Sequence, residues 1–204
     1  MPIVNNIELI VEWAEREICS QVLCKLPDDD NNDAGYDYKL VKPAAFALFV
    51  PTRDRLPPKI PAPIPSLCVQ LIEGKERQDS GTTKIRFGFS TWNPGTHYND
   101  LLMPKPGETG VYVHPVGIDP DKFYERNMNG WRDAWNFVDI ALRVLGSTEI
   151  IENLLLINKS DGIEYGPFMD RDSIPDFYPY WFAWCEFSVS YGTARRRPQL
   201  GGLL

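Results

Sequence analysis

Only two histidines, His97 and His114, and four cysteines occur in the 204 residues, and that shortage removes most of the raw material for covalent chemistry. A Ser/His/Asp or Cys/His arrangement has little to draw on. No G-x-S-x-G elbow, P-loop, G-x-G-x-x-G or H-E-x-x-H stands anywhere in the chain, so the common hydrolase, nucleotide and zinc-protease signatures are missing. Basic charge is short as well: 21 Lys and Arg against 28 Asp and Glu give a net charge of -7 and a pI of about 4.9. Such a balance argues against gripping nucleic acid, where each phosphate contact needs a cation. The longest apolar run, Ala44 to Val50, has seven residues, whereas a membrane span needs about twenty. Met1-Pro2-Ile3-Val4-Asn5 carries neither the basic region nor the apolar core of a signal peptide. These absences predict a soluble protein made in a reducing cytoplasm.

What the chain does have is apolar and aromatic surface. Hydrophobic residues make up 43%, with six Trp, nine Tyr and ten Phe, too much for an intrinsically disordered chain. At 23.3 kDa it can bury roughly 70% of its unfolded surface without disulfides or metals. The four cysteines then read as small core residues, Cys19 and Cys24 on one helix and Cys68 and Cys185 within strand-like alternations. A zinc site from Cys19, Cys24, His97 and His114 is the alternative, but C-x4-C is not the usual knuckle spacing and the histidines are far apart in a proline-rich stretch.

Periodicity organises the rest. Ile7, Ile10, Val11, Ala14, Ile18 and Val22 form one helical stripe, predicting a helix over about 6–25 with Asn5 and Glu8 spaced as a capping box. The acidic loop Asp28-Asp29-Asp30-Asn31-Asn32-Asp33 follows, without the Gly and Glu that an EF-hand loop needs at its sixth and twelfth positions. Seven of the 18 prolines lie between Pro43 and Pro65, predicting an extended arm along this chain or a neighbour, or a ligand for a proline-reading module. A hairpin is expected next, with strands at Leu67 to Glu73 and Thr82 to Thr91 and a loop from Gly74 to Gly81. Residues 92–129 read as a long irregular excursion.

A second helix is predicted over Gly130 to Leu145, with Trp131, Ala134, Trp135, Val138, Leu142 and Leu145 as its core stripe and Gly146 as the stop. Ile150 to Ile157 does not declare its period, and Ile163 to Phe168 reads as a strand. In the last strand, Tyr180 to Tyr191, Trp181, Ala183, Cys185, Phe187, Val189 and Tyr191 share one face, while Tyr180, Phe182 and Trp184 share the other. Its first half should therefore be covered on both sides. The expected architecture is α+β: an antiparallel or mixed four-stranded sheet with two helices packed on one face. Residues 1–191 form one domain in this reading, followed by a basic arm over 192–204.

One pattern invites a catalytic reading. Glu73-Gly74-Lys75, with Asp54 upstream, has the residue types by which metal-dependent nucleases hold Mg2+ and activate water. Gly74 is expected to open a turn, which would take Glu73 and Lys75 off the strand.

Taken in order, Leu71-Ile72-Glu73-Gly74, Thr83-Lys84-Ile85-Arg86-Phe87, Gly130-Trp131-Arg132-Asp133 at a helix start and Tyr178-Pro179-Tyr180-Trp181-Phe182 at a strand start resemble the tail-terminator-like proteins of tailed phages and prophages of Gram-positive bacteria. The similarity covers about residues 66–92 and 129–191, and the Tyr178 to Phe182 element is its most specific part. The long excursion, the proline arm and the basic arm depart from the family pattern. The resemblance implies a virion structural protein at the tail-neck junction, with no catalytic site, metal or cofactor. Such proteins form a six-fold ring on the tail tube, stop its polymerisation and meet the neck or head connector, while DNA passes through without specific binding. On that reading Tyr180, Phe182 and Trp184 are candidates for subunit or tube contact, and Arg195, Arg196 and Arg197 complement the acidic loop at Asp28, Asp29 and Asp30. A head-side neck or joining protein, and a small nuclease using Glu73 and Lys75, are the alternatives.

Overall fold

The computed structural model describes residues 3–27, 38–95, 103–113, 117 and 130–192. Helix α1, Ile3–Glu17, buries Ile7, Ile10, Trp13 and Ala14. It is shorter than its apolar stripe suggests. Ser20 Oγ and Gln21 Nε2 donate back to the carbonyls of Arg16 and Glu17, satisfying helix-end acceptors, and a 3-10 turn at Cys19–Gln21 leads into strand β1, Cys24–Pro27. Ile18 and Val22 are buried as the helical period requires, but from a turn and an extended segment. Asn5 already lies inside the helix, so it is no cap.

Strand β1 pairs with β2, Tyr38–Val41, as a separate ribbon. Within the proline arm, Ala44–Ala47 forms β3, which runs parallel to β4, Ser66–Glu76. Prolines on both sides of β3 confine it to the sheet edge, where such a segment can sit. β4 pairs antiparallel with β5, Ser80–Trp92, through a bulge at Ile72. A small ribbon of β6, Met103–Pro104, and β7, Tyr112–Val113, lies in the excursion.

Helix α2, Trp131–Ser147, precedes three short strands, β8 (Ile150–Ile151), β9 (Leu155–Ile157) and β10 (Glu164–Pro167), and the long β11, Tyr180–Gly192. β11 pairs with β5 along its whole length, from Tyr180 opposite Trp92 to Gly192 opposite Ser80. Its other edge takes β10 and β9.

The expected four-stranded sheet is therefore corrected to a mixed, seven-stranded one, ordered β3-β4-β5-β11-β9-β8 with β10 also on β11. Three added strands, β3, β8 and β9, are two to four residues long, too short to display a period. The α+β class and the two helices stand. Leu67 and Val69 of β4, Phe87 and Phe89 of β5, and Cys185 and Phe187 of β11 pack into one core with residues of both helices. Phe87 meets Phe187 edge-on at 4.9 Å, and Phe89 meets Phe137 of α2 at 4.8 Å. α1 touches β3 at one sheet edge and β8 at the other, so the sheet curls around it. No helix among the described residues is long and apolar enough to cross a membrane.

Candidate interaction face

With the helices on one side of the sheet, the opposite side is left to be covered by side chains and loops. It divides along β11. Toward Gly192 it is polar and internally paired. Glu186 is 5% exposed, accepts from Arg86 Nε at 2.6 Å and pairs with Lys84 Nζ at 2.8 Å. Lys84 also reaches Glu164 at 2.9 Å. Burial pushes the Glu186 carboxyl up, but the Lys84 and Arg86 hydrogen bonds and charges outweigh it and hold the group below its ordinary value.

Toward Tyr180 the same side is aromatic. Phe182 is half-buried and stands 6.3 Å from Phe168 and 5.5 Å from Phe177, with those two 6.1 Å apart. Such edge-on and tilted pairs are favourable contacts. Trp184 is half-buried, donates to the carbonyl of Pro167 at 2.8 Å and carries the Arg86 guanidinium 5.2 Å above its ring. The loop that packs on Phe182 brings its own apolar surface, since Phe168, Met169, Ile174 and Phe177 are all exposed, as is Tyr180. Across the sheet Leu48 and Phe49 leave the end of β3. Leu48 has φ +66° and Phe49 N donates to the carbonyl of Ala47 at 2.8 Å, a tight γ-turn that a branched residue adopts only at a cost. Its outcome is to present Phe49, 65% exposed, beside a groove floored by Cys68, Gly88 and Phe182.

The two motif segments at the helix and strand starts meet at one residue. Asn93, just past β5, donates from Nδ2 to Asp133 Oδ2 at 2.7 Å. Its Oδ1 accepts from Lys25 at 3.1 Å and from Gly95 N at 2.9 Å. Its backbone carbonyl accepts from Trp181 Nε1 at 2.7 Å and its amide donates to Pro179 at 3.0 Å. Tyr178 closes the ring of contacts by donating to the carbonyl of Pro94 at 3.1 Å. Gly130 has no room for a side chain, because a Cβ there would lie 1.8 Å from the Asn93 carbonyl oxygen. Burial raises the Asp133 carboxyl, opposed by the Asn93 hydrogen bond and the Lys25 charge. These motif residues thus fix where β11 starts relative to α2.

No protein-family model, curated protein or solved structure matches the chain.

The structure gathers Tyr180, Phe182 and Trp184 on one side of β11 as the alternation predicts. Asp28, Asp29, Asp30, Arg195, Arg196 and Arg197 lie outside the described residues, as do His97 and His114. Gly74 and Lys75 are corrected from a turn to strand β4, so that Glu73 no longer ends the strand, because the hairpin continues three residues further and turns at Arg77 to Asp79. Past the bulge, Glu73 stands opposite Lys84 and Lys75 opposite Thr82, and Asp54 sits on an exposed 3-10 turn beside Arg55. Among the described residues no three His, Cys, Asp or Glu side chains are grouped as a metal site. Cys19 and Cys24 lie on a 3-10 turn and on β1, not on one helix. All four thiols are free and buried.

Leu48, Phe49, Phe168 and Phe177 were not singled out by the sequence. Leu48 and Phe49 fall in the apolar run Ala44 to Val50 and Phe168 ends the strand expected from Ile163, while Phe177 stands between Pro175 and Pro179, outside any helical or strand period.

Proposed function

We propose that the chain is a tail terminator: a virion structural protein that assembles as a ring on the end of a phage tail tube, stops its growth and meets the neck. The observation that carries this reading is the divided open side of the sheet. Its polar half is internally ion-paired, while its aromatic half, with Phe49, Phe168, Phe177 and Tyr180 exposed, is the kind of contiguous apolar surface that marks a contact between proteins. The resemblance of Gly130 to Asp133 and Tyr178 to Phe182 to tail-terminator motifs supplies the kind of assembly. A ring closes when two different patches of one subunit meet around an axis, and a net charge of -7 suits a channel through which DNA slides without sticking.

Deletion of the gene from its phage or prophage tests the proposal. Heads should form normally while tails become overlong or fail to join them. Tails of normal length attached to heads would refute it.

A further inference from the structure

Beside the start of β11, on the side of its first residues away from β5, lies a cleft of about 280 Å³, just under the ~300 Å³ at which drug-sized ligand pockets begin. Trp131 and Trp135 of α2, Trp181 of β11, and Phe168 and Phe177 line it, together with Asp176. We propose that this cleft receives arginine side chains from the Arg195-Arg196-Arg197 segment of a neighbouring copy of the chain. The inference rests on the ring reading above and names the contact that would close it.

The chemistry of the lining selects the occupant. A guanidinium is attracted to the faces of Trp and Phe, most strongly to Trp, and stacks flat on them. Among the described residues the lining carries one carboxylate and no Lys or Arg, and the cation nearest to it, Arg132, stands over the Trp131 ring. The chain already uses this contact, with Arg86 5.2 Å above Trp184 and Arg132 5.7 Å above Trp131.

Reach selects the copy. β11 runs from Tyr180, at the cleft, to Gly192, twelve rises of about 3.3 Å each, or roughly 40 Å. Arg195 to Arg197 follow Gly192 by three to five residues, and fully extended chain covers at most about 3.6 Å per residue, or roughly 18 Å for Arg197. A segment of that length starting at Gly192 is too short to return to the cleft of its own chain. A neighbour's cleft is open to its arginines. Two different patches at opposite ends of one strand are what a head-to-tail interface needs to propagate around a ring.

Disulfide trapping tests this with the full chain. Ile174→Cys places an exposed thiol on the cleft lining, and Ala194→Cys places one beside the arginines; the four native thiols are buried. The two variants, purified and mixed at high concentration under mild oxidation, should give a bond between chains. The double variant should give chain-to-chain ladders and no bond within a chain. Replacing all three arginines by Ala should slow trapping by about tenfold, the loss of one or two cation-aromatic contacts. A bond within one chain, no trapping, or trapping indifferent to the arginines would overturn the proposal. Rings that cap tails without the arginines would overturn it while leaving the ring reading intact. Tails of normal length in the deletion strain would sink the ring reading but not a trapped cleft contact.

Discussion

Asn93 donates its side-chain amide to the Asp133 carboxylate at 2.7 Å, joining the exit of β5 to the first turn of α2, where a carboxylate also complements the helix dipole. Through its backbone, Asn93 holds Pro179 and Trp181 as well. One residue therefore sets the helix start and the strand start in register, and with them the walls of the aromatic cleft.

Asn93→Ala should cost about 1–3 kcal/mol, because Asp133 keeps its partly buried charge and loses its donor. Gly130→Ala should cost at least as much as ordinary overpacking, about 1–3 kcal/mol, since the clash at 1.8 Å is with backbone oxygen that cannot rotate away. Urea midpoints measure both. A Gly130→Ala protein as stable as the parent would contradict the packing described.

Acid should weaken the fold through Glu186. Lys84 and Arg86 hold its folded pKa below the ordinary value, so its contribution is present above the unfolded carboxylate pKa of about 4.3 and is lost as pH falls through the folded value. Glu186→Gln should lower stability at pH 7 by about 1–3 kcal/mol and flatten the acid limb of the stability curve. An unchanged acid limb would refute this role.

Alkali should weaken it through the thiols. Burial pushes Cys68 up to about 11, Cys24 and Cys185 up to about 12, and Cys19 up further still. Stability is then full below the unfolded thiol pKa of about 8.5 and falls as pH rises above it, by up to about 1.4 kcal/mol per pH unit for each thiol. Urea midpoints at pH 8 and pH 10 should differ accordingly, and Cys185→Ala should reduce the slope. Equal midpoints would show that the thiols ionise in the folded state.

Phe49→Ser and Phe177→Ser probe the open side directly. Phe49 is 65% exposed, so its change should alter folding stability by less than about 0.5 kcal/mol, whereas Phe177→Ser also loses the ring contacts with Phe168 and Phe182, about 0.5–1.5 kcal/mol each. Both should reduce attachment to tail tubes. Normal attachment by the stable double variant would remove this face from the assembly.

The long elements were legible because they are amphipathic over many residues. Thirteen residues of β11 alternate cleanly between Ala183, Cys185, Phe187 and Val189 on one side and Phe182 and Trp184 on the other. α2 was located but its stripe was rotated: Phe137 and Ala141 are buried, while Trp131 is exposed and Trp135 half-buried. Those two tryptophans line the cleft, so what reads as core from spacing alone is partly the wall of an open cavity. The short strands stayed hidden because two to four residues carry no period, and β3 because the surrounding prolines dominate its local signal. Gly74 suggested a turn, but a bulge at Ile72 and four further pairs to β5 carry it within the ladder. Phe168 and Phe177 come from an irregular loop whose position depends on the Tyr178 to Trp181 contacts around Asn93, and no local pattern foretells that.

A symmetric electron-microscopy reconstruction of the tail end of the particle tests the central claim most directly. It should show this chain as a closed ring on the tube, with Phe49, Phe177, Tyr180 and Phe182 buried in contacts to a neighbouring subunit or the tube. A particle without the chain at that position, or a ring that leaves those four side chains in solvent, would contradict the account.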